Sequence, residues 1–177
     1  MNTGVEAVET AIKLCRRWGY AIKGIPEDKA RIIVCSGNFH GRTSTVISFS
    51  SDSSAHAGFG PYTPGFDIIP YNDTRALAKA LQNKDVAGFL VEPVQGEAGV
   101  VVPDAGYLQT AARYCKDANV LFIADEIQTG LGRTGKMLAC DHEGVCLEML
   151  MLGKALSGGL LPVSAVLADD EIVLAIG

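Results

Sequence analysis

The chain has 177 residues, 48% of them hydrophobic and 20% charged, with a formal net charge of −5. Domains of this length bury roughly 70% of the surface that the unfolded chain exposes, enough for one α/β domain with its own core. A net-negative chain with scattered Lys and Arg offers no basic stripe to a nucleic-acid backbone, and the apolar runs around Leu147–Leu152 and Leu160–Leu167 are too short to cross a bilayer.

The first element is a helix over Val5–Lys23, followed by a strand over Arg31–Cys35 and a helix over Arg42–Ser50. A strand Phe66–Pro70, a helix Thr74–Gln82 and a strand Val86–Glu92 come next, then a helix Ala105–Ala118 leading into a strand Val120–Asp125. Strands Met149–Leu152 and Val163–Leu167 and a helical run Asp169–Ile176 complete the order. Regular alternation of the two periodicities predicts an α/β fold with a largely parallel sheet, and the continuous apolar strands predict helices on both of its faces. The chain opens on a helix cap and stops inside a helical run, so residues 1–177 are expected to form part of a larger domain, truncated at both ends.

Four segments carry chemistry. Thr3-Gly4-Val5-Glu6 fits a capping box, either an ordinary helix start or an anion site where Gly4 lets a phosphate approach the free N–H groups. Gly37-Asn38-Phe39-His40-Gly41-Arg42-Thr43 crowds an aromatic ring, an imidazole and a guanidinium into a Gly-rich turn at a strand end, where open α/β sheets bind ligands. The strand ending in Asp125-Glu126 places two carboxylates at such an end. Lys154 leaves the apolar strand Met149–Leu152 into a small-residue loop, and a desolvated amine there would suit a Schiff-base nucleophile; a lysine snorkelling to solvent is the plainer reading.

Two rivals are weaker. Gly130 to Lys136 reads G-x-x-x-x-G-K, but Met137 stands where a magnesium-holding hydroxyl belongs and the loop follows the acidic strand. The five cysteines are odd in number and contain no Cys-x-x-Cys, which fits reduced thiols; Cys140, His142 and Cys146 match no standard zinc spacing, and no metal is expected.

Taken together the motifs resemble the ornithine branch of the class III aminotransferases, in the order Asn2-Thr3-Gly4-Val5-Glu6-Ala7, Phe39-His40-Gly41-Arg42-Thr43, Val91-Glu92-Pro93-Val94-Gln95-Gly96-Glu97, Ala124-Asp125-Glu126-Ile127-Gln128-Thr129-Gly130 and Gly153-Lys154-Ala155-Leu156-Ser157-Gly158-Gly159. Gly58 to Asp73 carries the likeness to the ornithine branch. The resemblance implies the large domain of a fold type I pyridoxal-phosphate enzyme, acting on ornithine and a 2-oxo acid as a homodimer or larger homo-oligomer. It also implies the mitochondrial matrix, with the cytoplasm as the alternative.

By the same resemblance, Lys154 carries the cofactor and moves the proton, and Asp125 holds the ring nitrogen. Gly4 and Val5 hold the phosphate, Phe39 and Ile127 cover the two ring faces, and Gln128 reaches the phenolic oxygen. Arg42 takes the substrate carboxylate and Glu97 acts as the gate. Acetylornithine or 4-aminobutyrate transamination and a non-catalytic remnant are the other readings. The chain by itself is expected to lack turnover, because the family's pocket also draws on segments outside these residues.

Overall fold

The computed structural model describes residues 1–176. Six strands form one sheet: β1 (Arg31–Cys35), β2 (Phe66–Ile69), β3 (Val86–Val91), β4 (Leu121–Asp125), β5 (Met149–Leu152) and β6 (Ala165–Ala168), in the spatial order β2-β1-β3-β4-β5-β6. Neighbours from β2 through β5 are parallel, and β6 runs antiparallel to β5. That reversal follows from the connection. Residues 153–164 contain only the 3-10 turn Lys154–Ser157, and without a crossover helix the chain returns down the neighbouring edge.

The central strands β3 and β4 are buried along their whole length, as continuous apolar runs require. Helix α1 (Gly4–Ala21) covers one face, burying Ala7, Val8, Ala11, Ile12, Cys15 and Trp18 against the sheet. Helices α4 (Thr74–Ala80) and α5 (Tyr107–Asp117) cover the other, with Leu77, Leu108, Ala111 and Cys115 against Phe89 and Phe122. Gly88 on β3 is what lets α1 come close: a Cβ there would sit 2.5 Å from the Cys15 sulfur and 2.9 Å from Ile123. Burial pushes the Cys15 and Cys35 thiols up to about 12, so both are protonated core residues.

The expected helix over Arg42–Ser50 shortens to α2 (Ser44–Ile47), and a separate helical turn, α3 (Ser53–His56), lies beyond it. Its residues are mostly Ser and β-branched, which hold a helix poorly. The side-chain amide of Asn38 also donates to the Phe49 carbonyl at 3.0 Å, removing it from any helical ladder. The run expected as one helix over Asp169–Ile176 divides into α6 (Asp170–Val173) and a 3-10 turn, Leu174–Ile176.

Candidate active site

Four parallel strand ends and the start of α1 enclose a cavity of about 190 Å³, lined by Gly4, Val5, Phe39, His40, Gly41, Glu92, Val94, Glu97, Asp125, Ile127, Gln128, Thr129 and Lys154. It lies at the carboxyl edge of the sheet, where loops diverge and leave a crevice.

The start of α1 faces this cavity with unused donors. Glu6 reaches back to the backbone N–H groups of Asn2 and Thr3 at 3.0 and 2.6 Å. The Thr3 hydroxyl donates to the same carboxylate at 3.0 Å, and Thr3 and Glu6 together form the capping box that the sequence suggested. The N–H groups of Gly4 and Val5 have no intrahelical acceptor, as holds for the first turn of any helix. Gly4 itself is pinned by Ile127, whose Cγ2 would lie 3.0 Å from an added Cβ.

Asp125 ends β4 and is 5% exposed. One carboxylate oxygen accepts the Ile127 N–H at 3.1 Å and the other lies 2.6 Å from Nδ1 of His40. His40 is fully buried, its ring against Phe49 at a centroid distance of 6.0 Å, and its Nε2 has no partner. Burial disfavours the imidazolium, yet the hydrogen bond to Asp125 and the charges of Asp125 and Glu92 outweigh it, so the His40 pKa is raised. Glu92, at the end of β3, accepts the Phe39 N–H at 2.8 Å, and burial pushes its carboxyl up to about 7.

The neighbouring Glu126 is spent elsewhere. It is 1% exposed and accepts the Thr129 hydroxyl, the Ala139 N–H at 3.1 Å and the Cys140 N–H at 2.8 Å, fastening the loop after β4. The Gly130–Lys136 segment is a run of turns, with Lys136 donating to the Asp141 carbonyl at 2.9 Å and no phosphate-binding helix after it. Among the described residues no group of His, Cys, Asp and Glu is placed to hold a metal ion, and no helix is long and apolar enough to cross a membrane.

Lys154 follows β5 with a left-handed backbone, φ 42°, which costs a non-glycine residue on the order of 1 kcal/mol or more and is concentrated at functional sites. It is exposed, so the desolvation expected from the strand before it is not present in this chain. Gln128 donates to Glu97 at 3.1 Å, with Gly96 directly against its carboxamide. The cavity thus gathers Gly4, Val5, Phe39, Glu97, Asp125, Ile127, Gln128 and Lys154 from five separate segments. Arg42 is outside its lining, exposed, with its guanidinium 5.9 Å from the Phe39 ring centre.

Residues 1–177 match the family model described as Aminotransferase class-III. The chain belongs to this family. Among relatives, the mitochondrial ornithine aminotransferase of Rattus norvegicus is 62% identical over 176 residues, covering 99% of this chain and 40% of the relative. A solved ornithine aminotransferase from Toxoplasma gondii ME49 superposes with a TM-score of 0.99 at 50% identity, over 100% of this chain and 42% of that one. An acetylornithine aminotransferase from Elizabethkingia anophelis is 51% identical with a TM-score of 0.84, over 100% of this chain and 40% of its own. The chain therefore spans about two fifths of the length of these class-III aminotransferases.

Two residues that face the cavity, His40 and Glu92, had been legible only as parts of motifs. A signal for Glu92 was present: it follows an apolar strand at the carboxyl edge, as Asp125 does. Nothing local marks His40 as the partner of a residue 85 positions away.

Proposed function

We propose that this chain is the cofactor-holding part of an ornithine aminotransferase, with pyridoxal phosphate in the cavity and the δ-amino group of ornithine passed to a 2-oxo acid. The observation that carries it is the convergence of Lys154, the buried Asp125 carboxylate and the free first-turn amides of α1 on one crevice. These residues fit the group. Amides at a helix start suit a phosphate, Phe39 and Ile127 offer two apolar walls for a ring, and Asp125 offers an anion for a ring nitrogen. A Toxoplasma gondii ornithine aminotransferase, similar to this chain over its whole length, has been described with pyridoxal phosphate at its active site.

When bound, the cofactor supplies an electron-withdrawing ring that stabilises negative charge at the substrate carbon. The protein's part is positioning and proton movement. Lys154 would hold the group through its amine and would serve as the base that moves a proton at the substrate carbon. Asp125, held by the Ile127 N–H and by His40, would hold the ring nitrogen. Arg42, exposed with its guanidinium over Phe39, would take the substrate carboxylate, and Glu97, held by Gln128, would be the gating carboxylate. The likeness to ornithine aminotransferases outweighs the one to an acetylornithine enzyme because the rat and Toxoplasma proteins exceed the latter in identity and in superposition respectively. A homo-oligomeric assembly and, by analogy with the rat relative, a mitochondrial location belong to the same reading.

Reconstitution tests it. The chain mixed with pyridoxal phosphate should develop a visible protein-bound band that Lys154→Ala abolishes and Asp125→Asn retains. One equivalent of ornithine should bleach the band faster than acetylornithine or 4-aminobutyrate, a stoichiometric change visible even where turnover is slow. Faster bleaching by acetylornithine would move the assignment to that branch, and a band that survives Lys154→Ala would refute the anchor.

A further inference from the structure

Ser164 lies just before β6, is 2% exposed, and commits its backbone and its hydroxyl to the segment that leads into α1. Its N–H donates to the Met1 carbonyl at 2.8 Å, and the Met1 amine donates to the Ser164 carbonyl at 2.9 Å. The hydroxyl donates to the Thr3 carbonyl at 2.7 Å, across 161 positions of sequence. That carbonyl belongs to the same planar peptide unit as the Gly4 N–H, and in a trans unit the two groups point in opposite directions. Whatever fixes the carbonyl therefore fixes the aim of the amide.

The Thr3 carbonyl also accepts the Glu6 and Ala7 N–H groups at 3.1 and 3.4 Å, so it looks along α1 while the Gly4 N–H looks out of the helix start. Glu6 takes the amides of Asn2 and Thr3, which leaves Gly4 and Val5, both in the cavity lining, with the open ones. Gly4 is held from a second side as well. Gly153, the residue before Lys154, packs closely there, and a Cβ on it would lie 3.7 Å from the Gly4 Cα. The connection between β5 and β6, which carries Lys154, is thus fastened to the helix start at both of its ends.

We infer that Ser164 is a positioning residue for the cofactor's phosphate: it sets the Thr3–Gly4 peptide so that the Gly4 amide faces the phosphate, and it keeps that amide in register with the loop bearing Lys154. The inference rests on the reading that the start of α1 takes the phosphate. Two effects act through one bond. The hydroxyl restrains the peptide from tilting, and by drawing charge toward the carbonyl oxygen it makes the N–H of the same unit a stronger donor, as linked hydrogen bonds do. A phosphate is held by charge-assisted bonds whose strength depends on distance and aim, so a small tilt is felt at the ligand. The fold depends on the hydroxyl much less. Without it the Thr3 carbonyl keeps the Glu6 and Ala7 amides, and the two bonds to Met1 run through the backbone.

The test compares pyridoxal phosphate with pyridoxal, which has the same ring and aldehyde and no phosphate, on the 177-residue chain. Binding is read from the visible band, and the phosphate's surroundings from its phosphorus NMR shift. Ser164→Ala should bind pyridoxal phosphate about tenfold more weakly, hold pyridoxal within about twofold of the unchanged chain, and move the phosphorus resonance. Ser164→Thr, which keeps the hydroxyl, should retain the unchanged chain's preference for the phosphorylated ligand.

A Ser164→Ala chain that loses affinity for both ligands alike with the phosphorus resonance in place, or that loses none, overturns the role of Ser164 and leaves the phosphate site standing. An unchanged chain that binds pyridoxal as tightly as pyridoxal phosphate, or that binds neither, overturns the underlying reading and the inference with it. Should Ser164→Ala fail to fold, Ser164→Cys, of similar shape with a far weaker donor, carries the same comparison and should show the same selective loss.

Discussion

Glu126→Ala should destabilise the fold while leaving the cofactor chemistry intact, the opposite of what its neighbour Asp125 should do. The Glu126 carboxylate is 1% exposed and is the acceptor for the Thr129 hydroxyl and the Ala139 and Cys140 amides. Removing it strands three donors in buried surroundings, Thr129 and Ala139 each being 5% exposed and Cys140 fully buried. An unpaired buried donor costs about 1–3 kcal/mol, and two effects reduce the sum: water enters the space vacated, and the desolvation of a buried carboxylate is relieved. A net loss of about 3 kcal/mol is expected. At about 2–4 °C per kcal/mol for a chain of this size, the melting temperature should fall by about 6–12 °C. Glu126→Gln, which keeps one accepting oxygen for the Cys140 amide, should lose about half as much.

The assay is a thermal melt followed by far-UV circular dichroism, paired with the visible band of bound pyridoxal phosphate at low temperature. A Glu126→Ala chain melting within about 1 °C of the unchanged protein would refute the clamp, since a loss of about 3 kcal/mol cannot be that small in temperature. Loss of the band in a still-folded chain would mean that Glu126 serves the cavity after all.

Three further outcomes follow from the structure. Glu92 is raised from 4.5 to about 7, so the folded state binds more protons than the unfolded one, and the stability it contributes is full below about pH 4.5 and is lost as pH rises through 7; His40, also raised, adds a loss of the same sign above its ordinary value. Glu92→Gln should therefore flatten the melting temperature between about pH 5 and 8, and an unchanged slope would place the linkage elsewhere. Gly88→Ala should cost about 1–3 kcal/mol by overpacking Cys15 and Ile123, read as a lower urea midpoint; a neutral result would show that α1 can move away from β3. Gly96→Ala meets only the flexible end of Gln128, so it should melt within about 2 °C of the unchanged chain while displacing Gln128 from Glu97, which crystallography or the donor preference of the loaded site would reveal.

Much of the architecture was written locally. The apolar runs at Arg31–Cys35, Val86–Val91 and Leu121–Asp125 and the helical spacing of Gly4–Ala21 declare buried strands and a covering helix, because the pleat and the helical turn each impose their own period on which side chains reach the core. A lysine and a carboxylate just past such strands were visible as candidates for the same reason: a parallel sheet sends all its strand ends to one edge. The antiparallel return of β6 and the break between α2 and α3 were less legible, since they depend on one connection without a helix and on a side chain competing for a backbone carbonyl.

What the sequence by itself determined was the sheet, its covering layers and the edge at which Asp125 and Lys154 emerge. Only the tertiary structure divided the labour between Asp125 and Glu126. As adjacent residues at a strand end they are chemically near-equivalent, but successive side chains leave the pleat on opposite sides, so one carboxylate meets His40 in the cavity and the other meets the amides of the 139–140 loop. The same holds for His40, whose meaning depends on a carboxylate 85 residues later, and for Arg42, which packs over Phe39 at the rim rather than in the cavity lining. Period and strand-end position are properties of a short window of sequence. Which donor satisfies which buried acceptor is decided by packing across the whole domain, where an unpaired partner costs about as much as one or two kcal/mol of its stability.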